Sequence, residues 1–270
     1  MPPGKRRAAA TGATKVTGRN RWVRVTAIRS RFVLVGGSMR RTLIALLCLL
    51  TGLACQAADQ RFIVVKVDVR HEYLELFLDD ASGTPLNGFD RLVSWLKGRN
   101  KQLLFGMNAG MYNADFSPVG LLVVNGKQVS PLNLADGPGN FFWKPNGVFL
   151  VSKSGPHIVE SSEYPSVAIG VRIATQSGPL LVRHGVIHPG FSPGASSRLI
   201  RNGVGVSGSM AVFVISLQPV NFHEFATFFR DDLHCQDALY LDGVVSSLYS
   251  ARLGRNDHKT KLGPMVGVIR

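Results

Sequence analysis

From Phe62 onward the apolar residues come in short runs that stop at Gly, Pro, Asn or Asp, a spacing that suits strands and little else. Segments with strand character run Phe62 to Val67, Glu72 to Leu78, Leu103 to Met107, Val119 to Val124, Gly147 to Val151 and His157 to Val159. They continue at Val167 to Ile173, Leu180 to Val182, Gly203 to Val206, Ala211 to Ser216, Ala238 to Leu241 and Met265 to Ile269. Asn125-Gly126, between Leu121 to Val124 and Lys127 to Val129, is the strongest hairpin signal. Two stretches carry helical periodicity. Phe89, Leu92, Val93 and Leu96 form an i, i+3, i+4, i+7 stripe, and Asn221 to Leu233 opens on an N-cap with Glu224 three residues later. Many short strands with few helices predict an α+β fold: a curved, mainly antiparallel sheet with a few flanking helices, in a single domain.

Three of these runs end at a polar residue followed at once by small residues. They are Asn108-Ala109-Gly110-Met111-Tyr112, Gln176-Ser177-Gly178-Pro179 and Asp242-Gly243-Val244-Val245-Ser246-Ser247. Small residues at a strand end let the backbone turn sharply and approach a ligand, so each end is a candidate wall of one pocket or an ordinary turn.

The net charge of +14 misleads until the first 57 residues are set aside. Of the 31 Lys and Arg, 11 precede Ala58 and none of the 17 acids does, which leaves 20 bases against 17 acids. A basic tail on a near-neutral domain argues against a nucleic-acid partner, which needs a basic face on the folded part. Met39-Arg40-Arg41, the apolar run Leu43 to Leu53 and the small residues Ala54 to Ala58 follow the pattern of a secretory signal. The apolar run of about 11 residues is too short to span a bilayer, which takes roughly 20. The expected organisation is a basic, over-extended or disordered segment over 1–38, a signal peptide over 39–57 and the folded domain over 58–270. Export to the periplasm or the outside follows, with no stable membrane span once the signal is removed.

Cys48 and Cys55 fall within that signal, so only Cys235 survives and no intrachain disulfide is available to the mature domain. Cys235 reads as a small buried apolar residue. The seven histidines show no His-Glu-x-x-His pattern, and no second cysteine completes a zinc site. No metal or cofactor is expected from the sequence, although a divalent cation assisting a phosphate stays open.

Four segments in order carry a resemblance: Asn108 to Tyr112, Gln176 to Val182, Ser197 to Val206 and Ala238 to Tyr249. Together they resemble the motifs of the phosphodiester glycosidase family, over about Phe62 to Ile269. The resemblance implies hydrolysis of a sugar C1–O bond whose leaving group is a phosphate ester, with a glycosyl phosphodiester or envelope glycan as substrate. Such a leaving group is already a stable anion, so the general acid that ordinary glycosidases use is less necessary.

On this reading Asp242 is the carboxylate that activates water or attacks C1, its alternative being an Asx turn that closes the strand. Asp115 and Glu224 are second-rank acid or base candidates, and Glu224 is more simply a capping-box residue. Arg198 and Arg201 are the candidate phosphate holders, because a guanidinium presents a planar fork to two phosphate oxygens. Only one of the pair is expected to point inward, with Arg198 slightly favoured. Asn108 and Gln176 would orient hydroxyls or phosphate, while Gly110, Gly178 and Gly243 would allow close approach. Ser177, Ser246 and Ser247 would add hydroxyl donors or hold the loop, and Tyr112 would stack on a sugar or pack in the core.

The chain departs from the family pattern at Ala109 and at Val244, where many members have Gly. A β-branched Val244 does not readily take positive φ, so the loop after Asp242 is expected to be shaped accordingly. Two other classes compete: a glycan-binding envelope protein without turnover, and a serine hydrolase using Ser177 or Ser246, which lacks a Gly-x-Ser-x-Gly elbow.

Overall fold

The computed structural model describes residues 59–270. The expected signal over 39–57, the segment 1–38 and the cysteines Cys48 and Cys55 therefore lie outside the described residues.

Among the described residues the chain forms three sheets, antiparallel at every paired edge. The first has six strands in the order β1 (Phe62–Asp68), β12 (Met210–Ser216), β11 (Asn202–Ser207), β13 (Asp237–Asp242), β9 (Leu180–Arg183) and β10 (Val186–Ile187). The second has five, in the order β15 (Arg255–Asn256), β14 (Leu248–Ser250), β3 (Leu103–Asn108), β16 (Met265–Ile269) and β2 (Tyr73–Phe77). The third runs β5 (Lys127–Ser130), β4 (Leu122–Val124), β8 (Ile173–Ser177), β6 (Gly147–Ser152) and β7 (Gly155–Glu160). The mainly antiparallel α+β expectation holds, with the single curved sheet resolved into three.

All three sheets turn apolar side chains into one core. Phe213, Val204, Leu239 and Leu241 enter it from the first sheet, Phe105, Met107 and Val266 from the second, and Leu122, Phe149 and Ile173 from the third. Alternation along each strand sends the other face outward, where helices cover two of the sheets. Helix α1 (Phe89–Lys97) buries the expected stripe of Phe89, Leu92 and Leu96 against Phe77, Leu103 and Met265. A second helix, α2 (Tyr164–Val167), is a single turn.

The third helix, α3 (Phe222–Thr227), begins where the sequence places it. Asn221 Oδ1 accepts the Glu224 N–H at 2.8 Å, and the Glu224 carboxylate accepts the Asn221 N–H at 3.0 Å. The α-helical turns stop at Thr227, earlier than expected, and Phe228–Asp232 continue as a wider π-helical turn. Phe225 and Phe229 reach the first sheet because Gly203 and Gly205 leave that patch bare. A Cβ at Gly205 would lie 2.6 Å from Cys235 Sγ and 2.8 Å from the Phe229 ring. Cys235 itself is sealed, and burial pushes its thiol up to about 12, as suits a structural rather than a reactive cysteine.

The expected strand Val167 to Ile173 is not formed. Pro165 opens the turn of α2, Gly170 reverses the chain at φ +64°, and the strand starts only at Ile173. Val119 to Leu121 lie outside β4, which shortens that strand to three residues. Strands β10, β14 and β15 are two or three residues long and left no periodic signal to read.

Candidate active site at the Asp242 strand end

The three strand ends meet through their backbones. The Thr175 hydroxyl donates to Ala109 O at 2.5 Å, and a Cβ on Gly110 would come within 3.2 Å of Gln176 O. Ser177 Oγ donates to Leu241 O at 3.2 Å, and the Ser247 N–H donates to Asn108 Oδ1 at 2.9 Å. Convergence of the main chain does not carry all the side chains with it, because neighbours on a strand face opposite ways.

Asp242 ends β13 and is only 6% exposed. Its Oδ1 accepts the N–H groups of Gly243, Val244 and Val245 at 2.5, 2.7 and 3.4 Å, so the loop folds back over one oxygen. Its other oxygen, Oδ2, has no protein donor of good geometry among the described residues. Burial pushes the carboxyl above the usual aspartate range, against the three N–H groups and the nearby Asn108 amide, which favour the ionised form. The Asx-type turn and the buried carboxylate with a raised pKa are thus the same residue.

Two asparagines frame it. Asn202 stands opposite Asp242 in the β11–β13 ladder, next to a register shift, and its Nδ2 donates to Asn108 O at 3.0 Å. The Asn108 amide lies 3.4 Å from Asn202 Oδ1. Ser246 Oγ sits within 3.1 Å of three acceptors, Ile200 O, Asn202 Oδ1 and Asp242 O, and so ties the loop to β11. Ser247 Oγ donates to Val245 O at 2.7 Å. Both serines hold the loop. The signal for Asn202 in the sequence is a polar residue at the head of the Gly and Val run 203–206.

Arg201, not Arg198, is the inward arginine. Its guanidinium is sealed, donating to Val220 O at 2.9 Å, Ser197 O at 3.1 Å and Tyr240 Oη at 3.2 Å, and it stacks 3.8 Å from the Phe222 ring centroid. Arg198 faces solvent and pairs with Glu224 at 2.8 Å. Arg201 is closed to a phosphate and Arg198 is paired at the surface, which corrects the expectation that Arg198 is the one pointing inward. The Arg198 contact also accounts for Glu224: burial pushes this carboxyl up, but the Asn221 N–H and the charges of Arg198 and Arg61 outweigh it and hold it below the usual glutamate range. Glu224 is a cap, not an acid.

Gln176 is likewise corrected. Its Oε1 accepts the N–H groups of Leu121 and Asn133 at 3.0 and 2.9 Å, and its Nε2 donates to Asn133 O and Ser161 Oγ at 2.7 and 2.9 Å. With every donor and acceptor used, this amide fixes the 119–133 segment instead of facing a substrate. Ser177 is fully buried, and among the described residues neither Ser177 nor Ser246 is hydrogen-bonded to a histidine, which disfavours the serine-hydrolase reading. Gly178 makes room for packing, since a Cβ there would meet Asn146 Cβ at 2.6 Å. Asp115 is an exposed turn residue whose carboxylate accepts from Ser117 Oγ at 2.6 Å, a bond that lowers its pKa and disqualifies it as an acid.

Tyr112 packs its ring on Gly263 and donates from Oη to Lys261 O at 2.8 Å. Burial, and then the charge of Asp242, push its phenol up to about 12.

Neither Gly243 nor Val244 takes positive φ, and the Val244 side chain is 88% exposed. Gly243 is required for another reason: a Cβ there would lie 2.0 Å from Tyr240 Oη. Gly243→Ala is therefore expected to push the loop off Asp242 and cut turnover at least tenfold, with partial recovery in a Gly243→Ala, Tyr240→Phe double variant. Lack of coupling in that cycle, read as kcat/KM, would refute the contact.

Residues 101–268 match the family of phosphodiester glycosidases. An Escherichia coli K12 protein, described as the uncharacterized protein YigE, is 35% identical over 198 residues, covering 72% of this chain and 77% of its own. The zebrafish N-acetylglucosamine-1-phosphodiester alpha-N-acetylglucosaminidase catalytic domain, auto-inhibited by its pro-peptide, superposes with a TM-score of 0.53. It shares 13% identity over 77% of this chain and 81% of that one, a likeness of fold. With Asp242, Asn108 and Asn202 gathered at one strand end and the family match running across them, the chain belongs to the phosphodiester glycosidase family.

Proposed function

We propose that this protein is an exported hydrolase that cleaves the sugar C1–O bond of glycosyl phosphodiesters, drawn from envelope glycans or related substrates in the periplasm or outside the cell. The family match supports the reaction class. The observation that carries the residue assignment is Asp242, a buried carboxylate whose Oδ1 is clamped by the backbone N–H groups of Gly243 and Val244. Fixing Oδ1 aims Oδ2, so the group meets C1 or an attacking water without reorganising. Water supplies the oxygen that ends on C1 and gives one proton to Asp242, and the electron pair of the broken C1–O bond leaves on the phosphate monoester. No general acid is needed for that leaving group, in keeping with the failure of Asp115 and Glu224 as acid candidates.

Hydrolysis of a sugar-1-phosphodiester in ¹⁸O water tests this. Label is expected in the sugar. Label in the phosphate would mean attack at phosphorus and overturn the mechanism, and binding without turnover on any glycosyl phosphodiester would point to a glycan-binding protein instead.

A further inference from the structure

With Arg198 and Arg201 engaged elsewhere, the anionic part of such a substrate lacks a cationic partner. The described residues offer a basic cluster on the segment 258–261 and the start of α1. A cavity of about 250 Å³ is lined by Asn87, Gly88, Phe89 and Asp90 together with Arg91, His258, Lys259, Thr260 and Lys261. Arg91, Lys259 and Lys261 make no ion pair within 4.0 Å among the described residues. The one carboxylate in the wall, Asp90, already accepts from Asn256 Nδ2 at 2.6 Å. His258 Nδ1 lies 3.0 Å from Asn256 O, which leaves Nε2 for a ligand.

The cavity is tied to the segments that flank the site. Tyr112, four residues past Asn108, donates from Oη to the carbonyl of Lys261 at 2.8 Å. Val245, three residues past Asp242, packs into the same apolar cluster as Phe89, which lines the cavity, and Leu262, which follows Lys261. The Asp242 loop and the basic segment therefore share one support.

We infer that Lys259 and Lys261, with Arg91 across the cavity, form the anion subsite that receives the phosphate of the substrate. This rests on the proposed reaction for the identity of the substrate, but not for the binding of an anion. Lys ammonium groups act as point charges here, so the subsite positions phosphate by charge more than by bidentate geometry.

The test is a Lys259→Ala, Lys261→Ala double variant of the full chain, with Arg198→Ala as control. On a sugar-1-phosphodiester the double variant is expected to raise KM about tenfold or more with a smaller change in kcat, and to flatten the dependence of kcat/KM on salt. Arg198→Ala is expected to leave both unchanged. Inorganic phosphate, titrated by NMR, is expected to shift amide signals of residues 258–261 in the unmodified protein and not in the double variant. Phosphate binding lost in the double variant supports the subsite even where no glycosyl phosphodiester is turned over, in which case the reaction assignment fails alone. Turnover with unaltered KM and salt dependence in the double variant overturns the subsite and leaves the reaction standing. The same phosphate shifts in both proteins also overturn it.

Discussion

Replacing Asp242 with Asn is expected to lower kcat on a glycosyl phosphodiester by about 10²- to 10⁴-fold, the range for loss of a positioned acid–base group. The side chain keeps its shape and the Asn oxygen still accepts from Gly243 and Val244, so the loss measures charge rather than loop collapse. Stability should move the other way. The folded-state pKa of Asp242 is raised above the unfolded value, so in the window between the two the native state holds more protons. Its ionised carboxylate therefore costs folding free energy at neutral pH, and that cost disappears as pH falls through the raised folded pKa. Asp242→Asn removes the cost, so thermal unfolding at pH 7 is expected at a higher temperature, by about 0.5–2 kcal/mol of stability. In the unmodified enzyme the acid limb of kcat/KM should lie above the usual aspartate range. An Asn variant with full activity, or an acid limb at or below that range, would remove Asp242 from the mechanism.

Arg201→Met is expected to destabilise the fold by about 3–5 kcal/mol, as read by urea unfolding with the slope unchanged. The substitution leaves the Val220 and Ser197 carbonyls without their donor, uncovers the Phe222 ring and frees Tyr240 Oη beside Gly243. Arg201→Lys should recover little, because one ammonium cannot reach three acceptors in a plane. Activity should fall in parallel with the folded fraction and with the order of the Asp242 loop. A change under about 1 kcal/mol would show that the guanidinium is replaceable packing.

Strand positions, the α1 stripe and the Asn221 capping box were legible because each rests on local chemistry: alternation, a 3.6-residue period, a side chain reaching its own helix. At Asp242 the sequence left a reacting carboxylate and an Asx turn side by side, and the structure shows the turn while the carboxylate stays buried at the strand end. The assignments that failed depend on distant partners. Gln176 looks like a strand-end ligand until Asn133 and Ser161 occupy its amide. Arg198 and Arg201 are alike in sequence, and what separates them is Glu224 on one side and Val220, Phe222 and Tyr240 on the other. Gly243 reads in the sequence as room for a ligand to approach, whereas the constraint is a tyrosine hydroxyl from the strand that leads into it.

The clamp on Asp242 Oδ1 is made of main-chain amides, and main-chain amides are indifferent to the side chains they carry. Selection can therefore exchange the solvent-facing residue at 244 without loosening the aspartate two positions earlier, provided Gly243 and Tyr240 stay. The loop thus separates positions held by packing, Gly243 and Tyr240, from a solvent-facing position whose side chain the aspartate does not feel.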